Sequence, residues 1–338
     1  MKVTSVSWRA AGLCIIFFAF TARAQNSFVQ ITDPHIFDAD QPTQSEVLGK
    51  NKQKERMLES ERAFKEALQT INQQSARGAD YEFIVITGDL GIAHWKGPLW
   101  QAAKKMADWL RISKIERFLF VPGNNDVGNS QEKIEKYREF LAKLKKLLPD
   151  RVVDLCEQPF LDKKGRLFIG HNNASYRSDN KQHLSDLLLL RERISAAGNS
   201  ISQIYIFFHI AGIDDPHLIE KDKPDPKQTD YPYSAWGVNN EIRQIWNSLF
   251  AEPSVKGVFA GHFHTSDRMF YQRPFTWIRG RYPRDVVEKT FLCPPLSAKY
   301  QWEKSSRARG FQIVTLDQEG HPSLQVYWYE NGQFSNRE

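Results

Sequence analysis

Phe83-Ile-Val-Ile-Thr-Gly-Asp89 sets the architecture of the chain. An unbroken apolar run rich in β-branched residues fits a strand buried on both faces, the kind that lies in a helix-covered sheet. It stops at Gly88-Asp89, so a carboxylate stands just past the carboxyl end of the strand. The same arrangement recurs along the chain. Phe28–Thr32 runs into Asp33-Pro-His35, and Phe118–Val121 is followed by Gly123-Asn124-Asn125-Asp126. Ile204–Phe208 ends at His209, and Val255–Ala260 ends at Gly261-His262-Phe-His264. Leu167–Ile169 leads into Gly170-His171. Helical patterns at 53–75, 97–112, 131–148, 183–197 and 239–250 lie between these runs. In the first of them Met57, Phe64, Ala67, Leu68 and Ile71 share one face, with charged residues opposite. Such alternation predicts an α/β sandwich. The tail differs, with strands expected at 290–293, 310–316 and 323–329 and a turn at Glu319-Gly320. There is no internal repeat, low-complexity segment or convincing linker. One domain is therefore expected over 25–338, completed by the C-terminal strands.

In an open α/β sheet, groups just past the carboxyl ends of the strands converge on one crevice. Here they are Asp33, His35, Asp89, Asn124, His209, His262 and His264. Taken singly they are weak signals, since a lone His after a strand is more often structural and a Gly-Asp is usually a turn. The ordered set is what carries weight. Imidazole and carboxylate donors without Cys suit Zn, Mn or Fe. Seven donors exceed the needs of one tetrahedral ion. Two divalent ions roughly 3.5–4 Å apart and sharing a carboxylate would use them all, with Asp89 the natural bridge.

The set Asp33-x-His35, Gly88-Asp89, Gly123-Asn124-Asn125-Asp126, His209 and Gly261-His262-x-His264 resembles the calcineurin-like metallophosphoesterases. The resemblance implies a four-layer α/β/β/α sandwich of two mixed β-sheets flanked by helices. It also implies that Asp33, His35, Asp89 and His264 hold one ion, and that Asp89, Asn124, His209 and His262 hold the other. The expected reaction is hydrolysis of a phosphate mono- or diester by a hydroxide bridging the two ions. Phe208–Asp214, Gly261–Asp267, Cys293-Pro-Pro-Leu-Ser297 and Arg309-Gly-Phe311 are similar to the acid sphingomyelinase and endopolyphosphatase branch.

One position departs from the family signature. Asn125 stands where a catalytic His is usual, and an amide donates a hydrogen bond but supplies no proton. His94, shortly after Gly88-Asp89, is the candidate replacement acid, and a surface His at a helix start is the competing reading. Asp126 is expected to orient the site backbone, and His171 to line the substrate pocket beside Asn125. The opposing functional reading is a catalytically silent metalloprotein that captures a phosphorylated ligand.

The first residues read as an export signal. Lys2 and Arg9 precede the apolar run Ala10–Phe20, and Ala22-Arg23-Ala24 offers small residues for cleavage after Ala24. The apolar run is short for a membrane span, so a secreted or periplasmic protein with no transmembrane segment is expected. Losing Lys2, Arg9 and Arg23 with the signal lowers the formal charge from +6 to +3. That mild balance, with no basic stripe interleaved with aromatics, argues against nucleic acid as a partner. It leaves phosphorylated small molecules, lipids or polyphosphate as substrates. The long irregular stretches 211–238 and 266–289 carry Pro, Gly and aromatic residues and suggest ordered functional loops. Cys156 and Cys293 could pair in an oxidising compartment.

Overall fold

The computed structural model describes residues 26–37, 50–128, 130–174, 180–198, 200–210, 240–264, 268–272, 284–297 and 308–336. The expected signal at 1–24 and the loop 211–238 lie outside the described residues. Within 266–289, the described parts are helical rather than irregular.

The first half of the chain builds β1 (Asn26–Ile31), α1 (Lys50–Ala76), β2 (Tyr81–Thr87), α2 (Leu99–Leu110), β3 (Phe118–Val121), the short α3 (Asn124–Val127) and α4 (Gln131–Leu147). Next come β4 (Val152–Asp154), β5 (Phe160–Leu161), β6 (Leu167–Gly170), α5 (Asn180–Gly198), β7 (Ile204–Ile210), α6 (Asn240–Ala251) and β8 (Val255–Gly261). The chain closes with α7 (Arg268–Gln272), α8 (Arg284–Lys289), β9 (Thr290–Leu292), β10 (Gly310–Leu316), β11 (Pro322–Glu330) and β12 (Gln333–Ser335). β4, β5 and β12 span two or three residues each, too few to show a hydrophobic period.

Two mixed sheets result. The larger runs β12-β11-β10-β1-β2-β3-β4 and the smaller β5-β6-β7-β8-β9. β1 to β4 are parallel, and the C-terminal strands add to β1 through antiparallel β10. β6 to β9 are parallel, with β5 antiparallel at the edge. The inner faces meet in a layer of aromatic rings. Phe28 stacks on Phe83 with centroids 5.0 Å apart, and Phe83 meets Phe168 edge-on at 4.9 Å. Phe28 also meets Phe259 of the other sheet at 5.3 Å. Offset and edge-on pairs of this kind add to the burial of their large apolar area. The outer faces are covered by helices: Phe64, Ala67, Leu68 and Ile71 of α1 are fully buried, as the sequence pattern required.

Toward the carboxyl ends of the strands this apolar layer gives way to a buried polar one. The Gln30 amide donates to Thr87 Oγ1 at 2.9 Å and to the Ala260 carbonyl of the other sheet at 3.3 Å. Its oxygen accepts from Gln312 at 2.6 Å. A buried amide satisfied on both ends fixes the register of the two sheets, because leaving it unpaired would cost about 1–3 kcal/mol. Cys156 and Cys293, whose pairing the sequence left open, are free thiols. Cys293 is buried and donates instead to the Gln30 carbonyl. Among the described residues, no helix is long and apolar enough to cross a membrane.

Candidate metal centre

The loops after β1 and β2 are zipped together by backbone bonds. Asp33 N donates to Gly88 O at 3.1 Å, His35 N to Asp89 O at 2.8 Å and Phe37 N to Leu90 O at 2.9 Å. The zipper requires an unusual backbone. Asp33, His35, Asp89 and His262 all have left-handed φ, between 47° and 73°. Non-glycine residues rarely adopt this region, and those that do gather where function demands strain. Gly88 has φ 88°, and a Cβ there would lie 2.5 Å from His209 Nδ1 and 2.7 Å from Gly123 Cα. Only glycine lets the three loops come this close.

Two groups of donors result, each with atoms within 4.8 Å of one another: Asp33, Asp89, His209 and His262, and Asp33, His35 and His264. They share Asp33, while Asp89 reaches into both. Its Oδ1 lies 3.4 Å from His209 Nε2 and its Oδ2 3.6 Å from His35 Nε2. His264 Nε2 lies 3.1 Å from Asp33 Oδ1. His209 Nε2 lies 3.1 Å from Asn124 Oδ1 and 3.0 Å from His262 Nδ1. All seven residues singled out from the strand ends are therefore brought together.

The surroundings fix how the donors point. His209 Nδ1 lies 2.8 Å from the Thr87 carbonyl, an acceptor only, so this nitrogen carries a proton and Nε2 faces the site. Asp33 Oδ2 accepts from the His262 backbone amide at 2.9 Å and lies 2.6 Å from Thr32 Oγ1. Thr32 and the Thr87 carbonyl escaped the sequence reading because nothing in their own residue type announces the role. Burial works against charge on Asp33, but the facing His209, then bonds to His264 and His35, hold its carboxyl well below the usual range. Burial likewise disfavours charge on His209, yet Asp89 and Asp33 push it up to about 9. His262 falls to about 3 through burial and then repulsion from His209. Two buried carboxylates thus draw whatever positive charge can reach them, and four imidazole nitrogens supply lone pairs around them. That donor set fits a pair of divalent cations.

Asp126, fully buried, accepts four backbone amides: Leu90 at 3.2 Å, Gly91 at 2.8 Å, Ile92 at 3.2 Å and Gly123 at 2.9 Å. It ties the loop after β2 to the loop after β3. Asn125 turns inward, its backbone amide donating to Asp89 Oδ1 at 2.7 Å and its side-chain NH2 to Asp89 Oδ2. His94 ends a 3-10 turn, Ile92–His94, that follows Asp89. Lys136 of α4 caps this turn through the Ala93 and Trp95 carbonyls. His94 belongs to neither donor group. His171 lies outside them as well, buried past β6 with its ring stacked on His183 at 6.2 Å.

Comparison with the curated proteins found no match. Among solved structures, the sulfate thiohydrolase SoxB of Thermus thermophilus, in complex with glycerol, superposes with a TM-score of 0.42 at 11% identity. The superposition covers 90% of this chain and 56% of that one. A family model for calcineurin-like phosphoesterases matches residues 27–266, the span that carries every strand-end donor. The chain belongs to the calcineurin-like phosphoesterase family.

Proposed function

We propose that the protein is an exported hydrolase that cleaves a phosphate mono- or diester with the help of two divalent ions, Zn, Mn or Fe. The observation that carries this reading is the convergence of Asp33, Asp89 and four imidazoles in two overlapping groups at the carboxyl ends of four strands. Asp33, His35, Asp89 and His264 would hold one ion, and Asp89, Asn124, His209 and His262 the other. Two such ions, when bound, supply positive charge to phosphoryl oxygens and acidify a water for in-line attack on phosphorus.

The chain's own groups do the rest. The Thr87 carbonyl keeps His209 Nε2 aimed at the site, and Asp126 holds the loops that carry Asp89 and Asn124. Asn125 offers its NH2 to an oxyanion but no proton to a leaving group. General acid catalysis is worth roughly 10²–10⁴-fold. The substrate therefore has an acidic leaving group, or His94 on its braced turn supplies the proton. Phosphorylated small molecules, lipids and polyphosphate are the candidate substrates. Export rests on the charge, apolar run and small residues of 1–24 alone.

Asn125 also favours a second reading, a metalloprotein that binds a phosphorylated ligand without turnover, because an amide in place of the usual His has no proton to give a leaving group. Elemental analysis combined with assays on nitrophenyl phosphate, bis-nitrophenyl phosphate, polyphosphate and phospholipid separates the two. Two ions per chain with phosphate-ester cleavage that disappears in Asp89→Ala supports the enzyme. Two ions per chain with no turnover on any substrate class supports the binding protein.

A further inference from the structure

Beside the metal centre, between α4 and α5, lies a second cleft of about 200 Å³. Its floor is the carboxyl ends of β3, β4 and β6, and Pro122 and Val127, which flank Asn124 to Asp126, form one end. The volume is below the roughly 300–1,000 Å³ of drug-sized pockets and suits a ligand of a few heavy atoms. Two buried polar groups in its wall have no hydrogen-bond partner among the described residues: the Tyr137 hydroxyl and His171 Nε2. Their residues are 2% and 8% exposed. Buried polar atoms are normally satisfied, so a pair of them lining one cleft points to a ligand that satisfies them.

The cleft also holds a carboxylate, Asp154, with no close ion pair among the described residues. Asp154, at the end of β4, is 5% exposed, and its carboxylate accepts from the backbone amides of Cys156, at 3.1 Å to Oδ1, and Glu157. Burial, then repulsion from Glu157, pushes its pKa up to about 6, against the pull of the Cys156 amide, then Lys145 and the Glu157 amide. Arg138 is taken by Glu157 at 3.4 Å on the exposed rim. On the far wall, Arg193 of α5 stands near His171, which burial and that guanidinium hold neutral with a pKa of about 3. Asp186 shares α5 with Arg193. Tyr137 keeps its proton, through burial and then Asp154, and remains a donor. Asp154 belongs to none of the groups of side chains able to hold a metal ion among the described residues. A single carboxylate offers no chelating set, so the cation that suits it is an organic one.

We propose that this cleft binds a small primary ammonium compound, its nitrogen on Asp154 and its polar tail toward Tyr137 and His171. The site is separate from the metal centre. Its occupant abuts the segment that carries Asn124 and Asn125, so the amine is either an effector or the far end of a substrate.

Calorimetric titration of the purified protein with ethanolamine, with 1,4-diaminobutane and with uncharged ethylene glycol tests the proposal. At least one amine is expected to bind at pH 7.5 where ethylene glycol does not. Asp154→Asn should weaken it roughly tenfold, the loss expected for one charge-assisted hydrogen bond. Tyr137→Phe should weaken it by less. Asp89→Ala, which disables the metal centre, should leave amine binding intact, so this proposal and the phosphoesterase reading fail separately. The unaltered protein gives the same test without substitution, since protonating Asp154 should cost roughly tenfold in affinity between pH 7.5 and 5. Amines that bind no better than ethylene glycol, or equally at both pH values, or equally to Asp154→Asn, overturn it.

Discussion

Gly88→Ala isolates how tightly the loops of the metal centre are fitted. The substitution has two costs. Holding Ala at φ 88° instead of Gly is worth about 1–2 kcal/mol. The new Cβ would also lie 2.7 Å from Gly123 Cα and 2.5 Å from His209 Nδ1, well inside the roughly 3.5–4.0 Å of ordinary contact. Backbone and a buried ring have to move, and overpacking of this kind costs about 1–3 kcal/mol more. Gly78 provides the control, because it has φ 99° and nothing within 4 Å of where its Cβ would lie. Gly78→Ala should therefore lose only the conformational part, about 1–2 kcal/mol, and keep its metal and its turnover. Gly88→Ala should lose about 2–5 kcal/mol in total, bind less metal and turn over more slowly, because the displaced groups carry Asp89 and His209. Urea denaturation, metal analysis and nitrophenyl phosphate kinetics on both variants measure this. Equal destabilisation of the two, with metal retained in Gly88→Ala, would refute the steric argument.

Other outcomes follow from the same geometry. His171 and His183 are held neutral in the folded chain, with pKa values near 3 against 6.5 ordinarily, by burial first and then by Arg193 for His171 and by His171 for His183. The unfolded chain takes up these protons and the folded chain does not, so stability should rise with pH between about 3 and 6.5. The slope is about 1.4 kcal/mol per pH unit for each ring, and urea titrations in which His171→Phe leaves the slope unchanged would count against it. Asp154 has the opposite sign, since its raised pKa means stability is lost as pH climbs from 3.8 through 6. Asp154→Asn should therefore stabilise the protein by about 1–3 kcal/mol at pH 7, and a fall in stability there would contradict the assignment. His94→Gln should slow cleavage of an alkyl phosphate by about 10²-fold while sparing nitrophenyl esters, and equal losses would dismiss His94 as the acid. Reducing agent should leave the melting temperature unchanged, because both described cysteines are free thiols.

The strand-end donors were legible because two independent patterns coincide at each of them: a run apolar enough to be a buried strand, and a residue that binds metal placed at its end. Asp33, Asp89, His209 and His262 could be read this way with no knowledge of the loops. What escaped was backbone. The left-handed conformations of Asp33, His35 and Asp89 leave no mark in residue type, and the Thr87 carbonyl that orients His209 is common to every amino acid. Asp154 ends a strand as Asp89 does, but the three residues of Val152–Asp154 are too few to declare one. His171 was singled out correctly as following a buried run. Its placement depends on how α5 packs over β6, so sequence alone assigned it to the pocket of Asn125 rather than to the neighbouring cleft.

The donors are mounted on two separate sheets, Asp33, Asp89 and Asn124 on one and His209, His262 and His264 on the other. A cation gripped there would work as a rivet between slabs that elsewhere touch through greasy rings, the Gln30 amide, the Arg166–Glu82 ion pair and the Tyr205 hydroxyl. Chelation should accordingly free the slabs to slide, and amide exchange ought to quicken first along their shared seam, while the outer helices stay quiet.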